Sequence, residues 1–472
     1  MTRELHQENG FVEFNREPLI PFSTSAHGPA LAVADINNDG LDDYYLGSTK
    51  RKWSHLLVQT PGGEFKEEPL SGMVSDSIYE EVDAIFHDLN QDGYKDLLVA
   101  TGGNEYRLNS PYTQPLLYWN QNGKLVRDTA ALKDVHLTSS VIEVVETQEG
   151  VFVFLGSRAF PRSYGRPHAS VMLKYEDGGF TDVSVEMLPE QGELGFVKAA
   201  AVHDLDGDGS EDLVIASEWE SLKILHHRSG GFVAEEVAPE KGWWNSVTLY
   251  DMEGDGDMDI LAGNLGLNSR LKASPSEPVK MHYGDFDDNG VAEQVLTYHV
   301  RGRELPFSNM KELQKQIPSL KKKYIYAKDF AQATVEELLG KQKLAKASTY
   351  VADHFETTLY RNDEGGYEKQ SLPHEVQFST VNDALARDLN GDGRLDLILG
   401  SNYHYCNVQM GRYDADGGTI LISEGEHYRA ASLPELPMPS QVSNLSVIRI
   451  QDQPYVAAAQ NSDSLKFVRI QF

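Results

Sequence analysis

Asp204-Leu-Asp-Gly-Asp-Gly-Ser-Glu-Asp212 is one of six nine-residue segments of a single design in this chain. The others align with it without gaps: Asp35-Ile-Asn-Asn-Asp-Gly-Leu-Asp-Asp43, Asp88-Leu-Asn-Gln-Asp-Gly-Tyr-Lys-Asp96, Asp251-Met-Glu-Gly-Asp-Gly-Asp-Met-Asp259, Asp285-Phe-Asp-Asp-Asn-Gly-Val-Ala-Glu293 and Asp388-Leu-Asn-Gly-Asp-Gly-Arg-Leu-Asp396. The shared pattern is D-x-[DNE]-x-[DN]-G-x-x-[DE]. Its flanks are short and apolar or alternating, as in Leu31-Ala-Val-Ala before the first segment and Leu397-Ile-Leu-Gly400 after the last. Such runs read as paired strands, with the acidic segment as their hairpin connection. An EF-hand opens with similar residues, but it needs amphipathic helices on both sides and a Glu at position 12, and these flanks supply neither.

Oxygen-bearing side chains at positions 1, 3 and 5 converge only if the chain curls around a point. Gly at position 6 permits the curl because it tolerates positive φ. Position 7 then offers its carbonyl, and the acid at position 9 closes the shell. Calcium, a hard cation taking six to eight oxygens at about 2.3–2.6 Å, suits that donor set. The candidate ligands are Asp35, Asn37, Asp39, Leu41 and Asp43; Asp88, Asn90, Asp92, Tyr94 and Asp96; Asp204, Asp206, Asp208, Ser210 and Asp212; Asp251, Glu253, Asp255, Asp257 and Asp259; Asp285, Asp287, Asn289, Val291 and Glu293; and Asp388, Asn390, Asp392, Arg394 and Asp396. Up to six Ca²⁺ ions are expected. Asn, Asp and Gly also make good metal-free turns, but six copies with an acid fixed at position 9 go beyond turn chemistry. Glu253 and the Asn289/Glu293 pair depart furthest from the pattern.

The chain has 472 residues, 72 Asp plus Glu against 42 Lys plus Arg, and a net charge of −30. The six loops hold 24 of those acids (4, 3, 5, 5, 4 and 3 in chain order). Such a surface disfavours nucleic acid and anionic lipid, whose phosphates need Lys and Arg, and it attracts cations. With Cys406 as the one cysteine, an internal disulfide and a Cys/His zinc site are both excluded. The apolar runs are strand-length, and Met1 to Gly10 contains no apolar signal core.

Loop spacing serves as a ruler. The loops at 35 and 88, and at 204 and 251, are separated by one four-stranded blade each. The gap from 88 to 204 leaves room for a blade built on Ser140–Val145 and Val151–Gly156, with Thr147-Gln-Glu-Gly150 as an ordinary turn. Leu445–Ile450, Tyr455–Ala459 and Leu465–Ile470 make another loop-less blade, to which Phe11–Phe14 would add the fourth strand. Residues 270–345 read as an excursion carrying the Asp285 loop and two or three helices, after which Thr357–Tyr360 and Tyr367–Gln370 complete the interrupted blade. The expected fold is all-β: one seven-bladed β-propeller over 1–472, closed by N- and C-terminal strands, with a small helical insertion. Eight blades is the alternative, if the Asp285 hairpin founds its own.

Strand–acidic loop–strand repeats of this kind resemble the FG-GAP/VCBS family, the calcium-binding repeats of the integrin α-subunit propeller. Gly102-Gly-Asn-Glu105, Gly242-Trp-Trp-Asn245, Ala262-Gly-Asn-Leu-Gly-Leu-Asn-Ser269 and Gly411-Arg-Tyr-Asp-Ala415 are similar to stretches of bacterial members related to cartilage acidic protein 1. That resemblance implies an exported protein at the bacterial cell surface, outer membrane or periplasm. It also implies a signal segment outside this sequence, and membrane association only through a removed lipid anchor.

Four further groups are candidates for ligand contact. Trp243, Trp244 and Asn245 form either a sugar-stacking platform or inter-blade packing. Asn264, Asn268 and Arg270 line a pocket or hold a rigid turn. Arg158 and Arg162 sit in a basic–aromatic loop that binds a carboxylated sugar or partner, or pairs with local acids. His87 and His203, before two of the loops, are ligands or simple strand ends. No catalytic motif stands out. The first reading is a non-enzymatic, calcium-stabilised binding or scaffold protein that engages a protein or glycan. The alternatives are a carbohydrate-active lyase or hydrolase and an accessory subunit of an outer-membrane complex.

Overall fold

The computed structural model describes residues 5–363, 366–432 and 437–469. The described strands form eight antiparallel sheets, seven of four strands and one of three, and the helices are few and short. This all-β architecture is consistent with a β-propeller. Seven sheets have lead strands that neighbour one another in chain order: Leu31–Ala34, Glu81–His87, Ser139–Thr147, Phe196–His203, Ser246–Tyr250, Val381–Arg387 and Val442–Ile450. The last of these lies beside the first.

Packing follows from the sequence pattern. Second strands such as Asp96–Thr101, Asp212–Glu218 and Asp396–Ser401 are buried along their whole length. They carry the continuous apolar runs expected of strands covered on both faces. Much of the core therefore lies between successive sheets, for example Ala32 and Tyr45 against Leu97 and Tyr118, or Val145 and Phe154 against Val197 and Ile215, while a further cluster joins Ile20 and Phe22 of the N-terminal segment to Trp219, Trp243 and the inserted sheet. Outermost strands such as Phe65–Glu68 face water and carry charged residues at most positions. Ser139–Thr147 and Gly150–Ser157 form the hairpin read from the sequence around an ordinary turn.

The remaining sheet pairs Val279–Gly284 with Glu293–Val300 and Ser348–Ala352, and adds Arg303–Pro306 outside Glu293–Val300. In the chain it falls between Asp259–Gly263 and Thr358–Asp363, which pair directly with each other. Five short helices separate Pro306 from Ser348, more than the two or three expected. The helical pattern is cut by Pro318 just after Met310–Gln316, and by Gly340 at φ +86° between Val335–Leu339 and Lys341–Leu344. Asn309 caps the first helix, and Thr334 with Glu337 forms a capping box on the fourth. Leu313, Leu320, Phe330 and Leu338 are buried in one cluster with Phe286 of the Asp285 loop and Val295 of the sheet.

Phe11–Phe14 is not the expected closing strand. Glu13–Asn15 is a single 3-10 turn, because the Glu13 carboxylate is buried and accepts hydrogen bonds from Ser23 Oγ, Thr24 N and Oγ1, and Ser25 N. Those bonds wrap the segment on itself. The three-stranded sheet is instead approached by Leu5, which bridges to Ser464. Ile470 of the expected last strand lies outside the described residues.

Candidate metal loops and the opposite face

All six acidic segments connect adjacent strands in the same way: the residue before position 1 pairs with position 9. The pairs are Ala34 with Asp43, His87 with Asp96, His203 with Asp212, Tyr250 with Asp259, Gly284 with Glu293 and Arg387 with Asp396. In each loop one carboxylate oxygen of position 1 accepts the N–H of the position-6 glycine at 2.8–2.9 Å. Those glycines have φ between +82° and +100°, so the curl depends on them. Position 5 accepts the N–H of position 7 at 2.7–3.1 Å, which turns the side chains at 1, 3 and 5 toward one point.

Position 9 has a second role that its place in the motif did not reveal. All six of these acids are at most 4% exposed. One oxygen accepts the N–H of position 2, from Ile36, Leu89, Leu205, Met252, Phe286 and Leu389 in turn. In the five loops other than Asp285, the other oxygen accepts an N–H of the third strand, always at 2.8 Å: Gln59, Asn120, His227, Asn362 and Ser423. The acid thus fastens loop, second strand and third strand together, and its remaining lone pairs can still take a cation. Burial pushes the carboxyls of Asp43 and Glu293 up to about 7 and that of Asp96 up to about 6, against the opposing pull of those N–H bonds. A cation nearby would supply the charge that burial withholds.

The donor sets fit a hard, oxygen-preferring ion. Carboxylate oxygens of Asp204, Asp206 and Asp208 lie within 4.8 Å of one another, as do those of Asp251, Glu253 and Asp255, and of Asp285, Asp287 and Glu293. Asp206 and Asp212 also group with His226, a potential ligand that sequence spacing does not pick out because it comes from the third strand. In the loops at 35, 88 and 388 the third position is Asn, whose oxygen accepts the position-5 N–H. Internal cations already approach these sites: Arg228 lies 2.7 Å from Asp206, Arg361 2.5 Å from Glu253, Lys343 2.7 Å from Asp288 and Arg394 3.9 Å from Asp392.

Several loops share one end. Asn38 donates to Gly93 O, Gln148 to Asp208 O, and Arg449 N to Asp42, while His87 meets Glu146 at 3.3 Å. His87 and His203 are strand ends. Strand alternation sends the second-to-third-strand connections of each sheet to the opposite end. Those connections are tied together by the N-terminal segment. Asn407 binds the carbonyls of Pro18 and Pro21, and Glu17 accepts from Asn104, Tyr164 N and Gln294.

Among the other candidates, Trp243 and Trp244 are fully buried, which rules out a sugar platform. Trp243 packs edge-on to Phe22 and Trp219 at 5.1 and 5.0 Å, and Trp244 donates to Glu220 O. Asn264 is likewise a buried brace, accepting from Trp243 N and Leu265 N and donating to His354 O. Arg158 is buried in a bidentate pair with Glu218, at 2.7 and 2.6 Å, and is closed to ligand. Asn245 lines a cavity of about 390 Å³ between the lead strands, together with Asp83, Glu143, Lys198 and Asp383. Burial lifts Asp83 and Asp383 to about 7 and lowers Lys198 to about 7. Asp83 and Asp383 accept N–H groups of the neighbouring lead strands, Ile142 and Leu445. Asn268 and Arg270 line an open groove with Lys272, Phe378, Arg412 and Tyr413. Arg162 reaches a third cleft. Asn104, inside the Gly102–Glu105 stretch, is a hub that no spacing in the sequence marks: it contacts Glu13, Arg16, Glu17 and Arg162.

Residues 204–262 match the family model described as FG-GAP-like repeat, which supports the FG-GAP resemblance over that stretch. No curated protein matches the chain. Among solved structures, BBS1N in complex with ARL6DN is similar at TM-score 0.43 and 10% identity, with 95% of this chain and 94% of that one covered. The V. cholerae biofilm matrix protein Bap1 gives 0.36 and 9%, covering 96% and 87%, and AofleA from Arthrobotrys oligospora 0.37 and 9%, covering 88% and 89%. Likenesses at these scores carry no argument about what this chain does. No helix among the described residues is long and apolar enough to cross a membrane.

Proposed function

We propose that the chain is a seven-bladed, calcium-loaded β-propeller of the FG-GAP type, with the Asp285 sheet as an insertion in its fifth blade. It acts as a non-enzymatic binding or scaffold protein exported to a bacterial cell surface. The supporting observation is a division of labour. The acids that cluster most densely brace loops and strands, whereas the open grooves at Arg270 and Arg162 are built from connections outside the metal loops. Six divalent ions would bring the net charge from −30 to −18, so calcium stabilises the native state by mass action. The partner, a protein or glycan, engages the end away from the metal loops.

Capture from cell-envelope extracts and on glycan arrays tests this reading. Retention of a partner by the calcium-loaded protein, lost in Arg270→Glu/Arg412→Glu, supports it. Glycan breakdown that disappears in Glu143→Gln, a carboxylate of the cavity between the lead strands and outside the loops, would overturn it in favour of an enzyme.

A further inference from the structure

Three arginines from different parts of the chain line one open cleft of about 560 Å³: Arg16 of the N-terminal segment, Arg107 and Arg162. Leu108, Phe160 and Pro161 form its apolar floor. Asn104 builds the cleft. Its carbonyl accepts from the Arg16 guanidinium and its Oδ1 accepts from Arg162 N, while its own Nδ2 is spent on Glu13 and Glu17. Asn104 is 3% exposed, so a buried residue holds two of the three arginines, and Arg107 follows it three residues later in the chain. Arg162 is held at φ +67°, a strained setting for a residue with a side chain.

The charge arrangement is what needs an explanation. Acids outnumber bases 72 to 42 in this chain, yet among the described residues the guanidinium groups of Arg107 and Arg162 make no hydrogen bond or ion pair. Besides the Asn104 carbonyl, Arg16 meets one carboxylate, the buried Glu17 at 3.6 Å, whose oxygens already accept three other donors. The Arg16 Nε is buried without a partner. Partial desolvation, then repulsion from Arg16 and Arg107, holds the Arg162 guanidinium below its ordinary value. Water solvates the exposed guanidinium groups of Arg107 and Arg162, and an anion that joined all three would relieve their mutual repulsion; planar guanidinium forks match carboxylates in bidentate fashion.

We infer that Arg16, Arg107 and Arg162 form a receptor for a compact polycarboxylate of the size of an acidic disaccharide. The cleft volume falls in the range of small-ligand sites, and a compact anion avoids the field of the remaining acidic surface, which an extended acidic chain would meet. This rests on the proposed binding role and gives it a ligand class.

Isothermal titration of the calcium-loaded full chain with digalacturonate tests it. Binding should weaken with added salt and fall about tenfold or more in Arg107→Ala and in Arg162→Ala, both exposed positions whose melting should not change. Neutral cellobiose should not bind. No binding, equal affinity in both variants, or tighter binding of inorganic phosphate or of a tetra-aspartate peptide would each overturn the assignment. An envelope partner still captured by Arg107→Ala/Arg162→Ala, with digalacturonate silent, overturns this site alone and leaves the broader binding role standing.

Discussion

Glu218→Gln offers the sharpest test of how the interior is balanced. Arg158 and Glu218 are each 1% exposed and make two charge-assisted bonds, 2.7 and 2.6 Å. Tyr164 Oη donates to the same carboxylate at 2.6 Å, and Trp219 Nε1 donates to Tyr164 at 3.0 Å. Replacing the carboxylate by an amide keeps an acceptor for Tyr164 but leaves the guanidinium charge uncompensated where water cannot reach it. Breaking a buried pair from one side costs about 3–5 kcal/mol. The double variant Arg158→Met/Glu218→Gln removes the charge as well and should lose only about 1–2 kcal/mol, from imperfect packing and a weaker hydrogen bond. The assay is guanidinium unfolding in excess calcium, comparing midpoints at unchanged slope. A Glu218→Gln protein within about 1 kcal/mol of the parent, or a double variant less stable than the single, would refute the reasoning.

Gly263→Ala should destabilise by about 1–3 kcal/mol or more, because a Cβ there would sit 2.2 Å from Ser246 Oγ and 2.3 Å from the Val381 carbonyl, while Gly62→Ala, with nothing nearer than 3.8 Å, should be neutral in thermal melts. Hydrogen bonds from His282, then from Lys280 and Thr297, pull the Glu304 carboxyl down to about 2. Its folded value lies below its unfolded one, so the stability it contributes is complete above the ordinary carboxylate range and is lost as pH falls toward about 2. The melting gap between parent and Glu304→Gln should therefore hold constant from neutral pH down to about 5 and close below that. Asp204→Ala should remove one equivalent of bound calcium and leave distant loops filled, since each sheet packs mainly on its neighbours; elemental analysis showing several ions lost together would contradict it.

Much of the architecture was legible because the loop motif also marks a hairpin. Position 9 begins the second strand in all six repeats, so the motif marked the paired strands; the spacing left room for the loop-less hairpin at Thr147–Gly150, and the excursion read at 270–345 falls between two strands, Asp259–Gly263 and Thr358–Asp363, that pair with each other. What remained hidden were contacts between residues far apart in sequence. Phe11–Phe14 has the apolar and aromatic composition of a strand, but buried Glu13 finds partners at Ser23–Ser25 and Asn104 and curls the segment instead. Trp243 and Trp244 could be read as a platform or as packing because sequence shows their type and not the rings that cover them, Trp219 and Phe22 on Trp243, His354 and Tyr360 on Trp244. Arg158 and Arg162 stand four residues apart in one basic loop, yet Glu218 captures the first, and the second turns out beside Arg16 and Arg107. A charge pattern cannot separate such neighbours; only the fold brings the buried carboxylate to one of them.

Calcium content measured together with thermal stability tests the central claim most directly. Protein stripped with EGTA should melt many degrees below the calcium-loaded form, and reloading should restore both the melting temperature and several bound ions per chain, up to six. A chain that holds no calcium after dialysis against it, and melts at the same temperature with and without EGTA, would contradict the account.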